Sequence, residues 1–217
     1  MRTRTQQIWD YIATLKLFET VDRISSIDGN LKVQKLSFIT ELEGIRAQFA
    51  AMHFKFFRYN QGPYSKELAN DVQYLIGREV ITAGKRLTKK GHFILDYIAP
   101  EVSHSQKASE AFSIIENVAN QYGKKSGPRL VDLVYKMIVP VYDLGGEEMR
   151  VEDVGLFTDI FVPMAQTLTE VDVLNADMIA DIEQELALPL EALNPSNPEY
   201  QRTVNEALER VRVAINV

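Results

Sequence analysis

Residues 65–90 read SKELANDVQYLIGREVITAGKRLTKK, and this stretch decides the predicted fold. Ser65 is a residue type that caps helices, and the apolar residues after it recur every three or four positions as far as Gly77. Two β-rich pieces at 80–82 and 86–88 then flank a glycine-containing tip, which is typical of a β-hairpin. Thr88 can cap a further helix at 89–98. The stretch therefore predicts a helix, a small β-hairpin and a second helix.

Two helices and a strand are predicted before this stretch. Apolar residues spaced three or four apart indicate amphipathic helices at 6–21 and at 31–42, the second capped by Asn30 and ending near Gly44. Alternating aromatic residues at 53–59 indicate a short strand, and the run Asn-Gln-Gly-Pro-Tyr at 60–64 indicates a turn. The order of these elements is that of a winged helix, an elaborated helix-turn-helix. The sequence therefore predicts a mainly α fold with a winged-helix-like module at residues 1–100, which Pro100 ends.

The rest of the chain is predicted to be an acidic helical region at 101–217, either separate or packed on the first module as one unit. Its clearest helix spans 105–122, and a glycine-rich break at 123–128 precedes a helix that stops before Pro140. Apolar spacing at 154–161 indicates a buried helix. The proline-rich run at 194–198 indicates a linker before a final helix, whose apolar stripe extends from Tyr200 to Ile215.

Charge and composition narrow the class of protein. Residues 1–100 hold 15 Lys and Arg against 10 Asp and Glu, a net charge of +5, whereas residues 101–217 hold 9 against 20, a net charge of −11. This split indicates separate roles for the two parts, or a chance difference between solvated faces. The chain contains no cysteine and no continuous apolar run long enough for a signal peptide or a membrane span. We therefore expect a cytoplasmic protein that does not enter the membrane.

The residues that could carry catalysis do not form a recognisable pattern. The three histidines have no metal-ligand spacing, and the phosphate-binding and nucleophile motifs are absent from the sequence. The acidic residues Glu147, Glu148, Asp153 and Asp159 could do acid–base work in pairs, but a solvated acidic face explains them equally well. We therefore predict a non-enzymatic protein without a metal site or a cofactor.

A DNA-binding surface is one interpretation of the 65–90 stretch. The run from Lys85 to Lys90 is the densest positive charge in the chain and lies where a wing would contact phosphates. The preceding helix would then read bases. The predicted DNA contacts are Lys66, Asn70, Gln73, Arg78, Lys85, Arg86, Lys89 and Lys90. Against this interpretation, the same helix carries acidic residues that phosphates would repel. The aromatic residues at 54–64 are interpreted as packing residues rather than as a platform for bases.

Two short motifs carry a resemblance to a known family. Residues 31–38 read LKVQKLSF, and residues 59–65 read YNQGPYS. This pair resembles the Panacea (SocA-like) antitoxin domain and the related YwgA-like bacterial proteins, over roughly residues 28–98. The resemblance implies a mostly helical domain that neutralises a cognate toxin by direct contact or adapts it for proteolysis. It also implies that the motif residues lie near one another, organising the domain or its contact face: Lys32, Gln34, Lys35, Gly62, Pro63, Tyr64 and Ser65.

Two functions therefore remain open from the sequence. The first is an antitoxin-like protein that binds a protein partner, with the acidic region gripping a basic partner or completing a homodimer. The second is a winged-helix transcriptional regulator that binds DNA. Without the resemblance, Lys32 and Lys35 are interpreted as lysines that extend to solvent from the edge of an amphipathic helix.

Overall fold

The computed structural model describes residues 2–141, 146–161 and 171–187. The described residues are mainly helical, as predicted, with seven α-helices and five short strands. The helices are α1 (Arg4–Asp22), α2 (Asn30–Arg46), α3 (Lys66–Gly77), α4 (Lys89–His104), α5 (Gln106–Tyr122), α6 (Gly127–Tyr135) and α7 (Ala176–Ala187). The strands are β1 (Phe56–Tyr59), β2 (Gly62–Tyr64), β3 (Ile138–Val141), β4 (Glu147–Arg150) and β5 (Asp159–Phe161). None of the described helices combines the length and the apolar character that a membrane span requires.

The first helix is the centre of the molecule rather than an amphipathic surface helix. Every residue from Ile8 to Leu15 is buried, because α4, α5 and α7 all pack against α1. The buried Trp9 Nε1 donates a hydrogen bond of 3.0 Å to the carbonyl of Ala51, which ties the loop before β1 to the helix. A capping box between Thr3 and Gln6 fixes where α1 begins. Because neighbouring elements cover α1 on all sides, some of its polar residues also lie at buried positions.

A small β-hairpin is formed by β1 and β2. These strands pair antiparallel, and Tyr59 faces Gly62 across a two-residue turn. Gly62 has a φ of +86°, a conformation that glycine adopts without steric cost. The sequence prediction of a strand at 53–59 is confirmed at 56–59, whereas the predicted turn at 60–64 also contains β2. β5 pairs with the other edge of β1, so the sheet has the order β2-β1-β5.

The segment at 80–88 contains less β structure than the sequence predicts. It contains one antiparallel bridge, between Ile81 and Leu87, around a turn in which Lys85 has a φ of +62°. The following helix is longer than predicted, because α4 continues through Pro100 to His104. Pro100 lacks an N–H and leaves one backbone carbonyl in the helix without its usual donor, but the helix does not end there.

The buried helix predicted at 154–161 is wrong. This segment forms a loop and β5, because its backbone hydrogen bonds go to β1: Arg58 donates to the carbonyl of Thr158 at 2.8 Å, and Phe157 donates to the carbonyl of Arg58 at 2.7 Å. The helix at 105–122 is confirmed as α5, with Ser105 as its N-cap. The linker at 194–198 and the final helix with its stripe from Tyr200 to Ile215 lie outside the described residues.

Candidate functional site

Gln34 attaches α2 to the end of β2. Its side-chain amide donates to the carbonyl of Ser65 at 2.9 Å and accepts from the N–H of Ser65 at 2.7 Å. The amide therefore pairs with Ser65 in the way that a neighbouring strand would. Ser65 in turn caps α3, since its Oγ accepts a hydrogen bond from the N–H of Leu68. Both Gln34 and Ser65 are buried.

Lys35 makes the second attachment between α2 and β2. Its Nζ donates to the carbonyl of Pro63 at 2.7 Å, and its terminal carbon and nitrogen lie 3.6 Å from where a side chain at Gly62 would begin. Burial, together with the nearby charge of Arg58, lowers the pKa of Lys35 to about 7. Arg58 itself lies over the ring of Tyr135 at 4.7 Å.

The ammonium group of Lys32 bonds to the chain segment just before α2. Its Nζ donates to the carbonyl of Ser26 at 2.6 Å and lies 3.7 Å from Asp28 Oδ1. The lysine is 2% exposed, so neither Lys32 nor Lys35 extends to solvent. The motif residues thus lie inside the fold, near β2 and the start of α2. Among these seven residues, Tyr64 alone is half-buried and the others are buried.

Tyr64 belongs to an apolar surface that we call the aromatic patch, defined as Phe57, Tyr59, Tyr64, Leu156 and Phe157. The rings of Phe57, Tyr59 and Tyr64 lie 5.7–6.0 Å from one another, and the ring of Phe157 lies 5.9 Å from that of Tyr59. Tyr59 is 41% exposed, Leu156 is 56% exposed and Phe157 is 68% exposed. The prediction that Tyr59 and Tyr64 are packing residues is therefore incomplete, since they also form a solvent-facing surface.

Phe157 is held in a conformation that large side chains rarely adopt. Its φ is +64°, in the left-handed region, and its N–H donates to the carbonyl of Arg58. This conformation costs on the order of 1 kcal/mol for a residue with a side chain. An exposed aromatic ring gains little from burial in return, so the strain marks the loop tip as a candidate binding feature.

The predicted DNA contacts divide into two groups. On α3 and at its end, Lys66, Asn70, Gln73 and Arg78 are exposed, as the sequence analysis expected of that helix face. Beyond α3, Lys89 is exposed and Arg86 is exposed but pairs with Asp22 at 3.2 Å. Lys85 is buried, at 9% exposed, which contradicts its assignment as a phosphate contact.

Lys90 is fully buried, which contradicts its assignment as a phosphate contact. Its Nζ donates to the carbonyls of Arg78 at 3.0 Å and Leu186 at 3.1 Å, so the ammonium group joins α3, α4 and α7 inside the fold. Burial lowers the pKa of Lys90, although the charge of Glu185 opposes this effect. The dense positive run at 85–90 is therefore only partly on the surface.

A buried charge network around Arg2 was missed by the sequence analysis. Its Nη1 lies 2.7 Å from both Asp10 Oδ2 and Asp71 Oδ2, and its guanidinium lies over the ring of Phe54 at 4.9 Å. Asp10 Oδ1 also lies 2.9 Å from His53 Nδ1. Burial raises the pKa of Asp71, while the Arg2 hydrogen bond opposes that shift. The Asp–His pair resembles a catalytic dyad, but both side chains are buried within this network, which indicates a structural role.

These partners are far apart along the chain, with a sequence separation of 69 from Arg2 to Asp71 and of 43 from Asp10 to His53. No local sequence pattern could have brought them together. Within the described ranges, no three His, Asp or Glu side chains are arranged to hold a metal ion.

No protein-family model, curated protein or solved structure matches this chain.

Proposed function

We propose that this protein is a non-enzymatic, cytoplasmic, antitoxin-like binding protein that contacts a protein partner through the aromatic patch. The observation that carries the proposal is Phe157, a strained and 68% exposed aromatic residue whose ring lies 5.9 Å from that of the exposed Tyr59. A few residues dominate the binding energy of protein interfaces, and aromatic side chains are prominent among them. The resemblance of the two motifs to an antitoxin domain supports the same class of function.

The proposal is tested by Phe157→Gly. Glycine accepts the left-handed backbone, so the free energy of unfolding should stay within about 1 kcal/mol of the wild type, because relief of strain offsets the lost ring contact. Affinity for the product of the adjacent gene, measured by isothermal titration calorimetry, should fall by about tenfold or more.

The matched control is Tyr74→Ala, which removes another exposed aromatic ring, on α3 and outside the patch. This variant should bind the same partner as the wild type does. If the neighbouring gene product is a toxin, its activity should be restored by Phe157→Gly and not by the control. Equal binding by the wild type and Phe157→Gly would refute the use of the patch.

DNA binding is a second candidate, favoured by the exposed row on α3. Lys66, Asn70 and Gln73 follow one another at intervals of four and three residues, which places them on one face of the helix. A winged-helix protein would present such a face to the major groove. The supporting positive charge is reduced, since Lys90 is buried and Arg86 is paired.

Fluorescence anisotropy of a labelled DNA duplex across a salt series tests this candidate. If α3 contacts phosphates and bases, binding should weaken steeply with salt and should weaken further in Lys66→Ala and Arg78→Ala. Absence of binding at low salt would remove DNA as a ligand and would leave the protein-binding proposal untouched.

A further inference from the structure

The aromatic patch is bordered by an acidic part of the chain. Residues 146–161, which we call the acidic segment, contain five Asp and Glu against one Arg, a net charge of −4. Four of these carboxylates are on exposed residues: Glu147, Glu148, Glu152 and Asp153. Leu156 and Phe157 belong to the same segment, so apolar and acidic groups are presented together.

The path of the acidic segment brings its charges to the patch. The 3₁₀ turn Val151–Asp153 packs against β2, the strand that carries Tyr64. Four residues further on, the backbone reaches β1, where the N–H of Phe157 donates to the carbonyl of Arg58 at 2.7 Å. Glu152 and Asp153 therefore lie between a turn that packs against β2 and a residue that bonds to β1, and these two strands carry the rings of Phe57, Tyr59 and Tyr64.

Three positive groups near the patch have partners within the protein. Lys35 is buried on the carbonyl of Pro63, and the half-buried Arg58 lies over Tyr135 and donates to the carbonyl of Tyr59. Arg150 is exposed, and its Nη1 lies 3.4 Å from Glu152 Oε1. The charge that the segment presents to an approaching molecule is therefore mainly negative, and such a field attracts cations and repels acidic ligands.

We infer that the partner docks on the aromatic patch with a cationic segment, in which Lys or Arg residues flank an aliphatic or aromatic anchor. The anchor packs on Phe157 and Tyr59, and the flanking cations face the carboxylates of Glu152 and Asp153. Nucleic acid does not fit this surface, because its phosphates would meet the same carboxylates. The inference rests on the proposed function, since it specifies the partner of the same patch.

Selection from a phage-displayed library of random dodecapeptides tests the inference. The immobilised full-length protein is the target, and Phe157→Gly is used for counter-selection. The expected result is enrichment of peptides in which Lys or Arg flanks a Leu, Phe, Trp or Tyr residue. Their affinity should fall by about tenfold in Glu152→Lys/Asp153→Lys and should weaken with salt.

The charge control is Asp96→Lys/Glu101→Lys, which makes the same change of charge at two exposed positions of α4. It should leave peptide affinity close to that of the wild type. Equal loss of affinity in both charge variants would show that only the overall charge of the protein matters, and it would overturn the inference.

The remaining outcomes separate the two proposals. If the library yields no peptide that distinguishes the wild type from Phe157→Gly, the patch does not bind peptides and the proposed function fails with the inference. If it yields distinguishing peptides that are neutral or acidic, the proposed function stands and the inference is wrong. If the wild type sediments as a dimer and Phe157→Gly as a monomer, the occupant is a second copy of the chain, and the inference is again wrong.

Discussion

Three buried lysines share one role in this protein. Lys32, Lys35 and Lys90 each direct the ammonium group at backbone carbonyls rather than at water. A buried ammonium group is costly unless its donors are used, and carbonyl oxygens near the end of a helix or strand have spare acceptor capacity. Each lysine therefore stabilises a chain reversal or an element end that lacks a backbone partner.

The pH dependence of stability should report the burial of Lys35. Its pKa is about 7 in the folded protein, against an ordinary value of 10.5. Between these values the unfolded chain holds a proton that the folded chain has released, so the free energy of unfolding rises with pH across this window. Lys35→Met removes this titration. The difference in free energy of unfolding, wild type minus variant, should therefore rise with pH, by at most about 1.4 kcal/mol per pH unit.

Urea denaturation of both proteins across the same window measures this difference. Lys136→Met, at an exposed position of the chain, is the matched control and should give a difference that does not change with pH. A flat difference for Lys35→Met would mean that Lys35 keeps an ordinary pKa in the folded protein.

The burial of Lys32 and Lys35 could not be predicted from the residues alone. A lysine on an amphipathic helix extends to solvent in most proteins, because its stem is flexible and its charge is strongly hydrated. Here the carbonyls of Ser26 and Pro63 lie within reach, and both belong to segments outside α2. Only the resemblance to a family implied that Lys35 lies beside the Gly-Pro-Tyr-Ser turn, whereas Lys32 bonds to the carbonyl of Ser26 instead.

At the scale of elements, α2 closes the outer edge of the hairpin. β2 has β1 on one side, and on the other side the side chains of Gln34 and Lys35 occupy the polar groups of Ser65 and Pro63. Pro63 also lacks an N–H, which removes a donor from that edge. An edge protected in this way does not offer a row of free backbone groups to another strand.

Gln34→Ala should destabilise the protein strongly. The substitution leaves the buried N–H of Ser65 without an acceptor, whereas the Ser65 carbonyl keeps the hydrogen bond from the N–H of Ala69. One unsatisfied buried group costs about 1–3 kcal/mol, so we expect the free energy of unfolding to fall by about 1–3 kcal/mol in urea denaturation. Gln73→Ala, at an exposed position of α3, is the control and should change it by less than about 0.5 kcal/mol. A small effect of Gln34→Ala would show that the amide–Ser65 pair is dispensable.

Most helices could be predicted at this scale, whereas β5 could not. The helices α3 and α5 are capped by Ser65 and Ser105, residues that the sequence marks as caps before a clear apolar period. The segment at 154–161 also has helical apolar spacing, but its backbone bonds to β1, about 100 residues earlier in the chain. A strand partner so distant along the chain overrides the local apolar spacing, and the local sequence does not reveal it.

At the scale of the whole molecule, the first hundred residues and the rest are joined through shared core. α1 packs chiefly against α5, and α2 packs against both α5 and α6. β5 completes the sheet that β1 begins, and Lys90 reaches the carbonyl end of α7. Much of the apolar surface of α1 and α2 is therefore covered by residues beyond position 104.

A fragment of residues 1–104 should fail to fold cooperatively. Without α5, the central helix α1 would expose apolar side chains that the full chain buries, including Trp9, whose ring stacks on Phe112 at 5.9 Å. Thermal unfolding followed by circular dichroism should show a cooperative transition for the full chain and none for the fragment. A fragment with a sharp transition and dispersed amide resonances would establish the first hundred residues as an independent domain.

The hairpin is supported by one set of residues, and the solvent-facing side chains of the loop at 156–157 belong to another segment. Gln34, Lys35 and Ser65 are satisfied within the fold, whereas Leu156 and Phe157 stand in a loop that bonds to β1 through its backbone. Backbone bonds do not depend on which side chain the loop carries. A lineage descended from this protein can therefore change partners by replacing two exposed side chains, while the hairpin and its helical support are inherited unaltered.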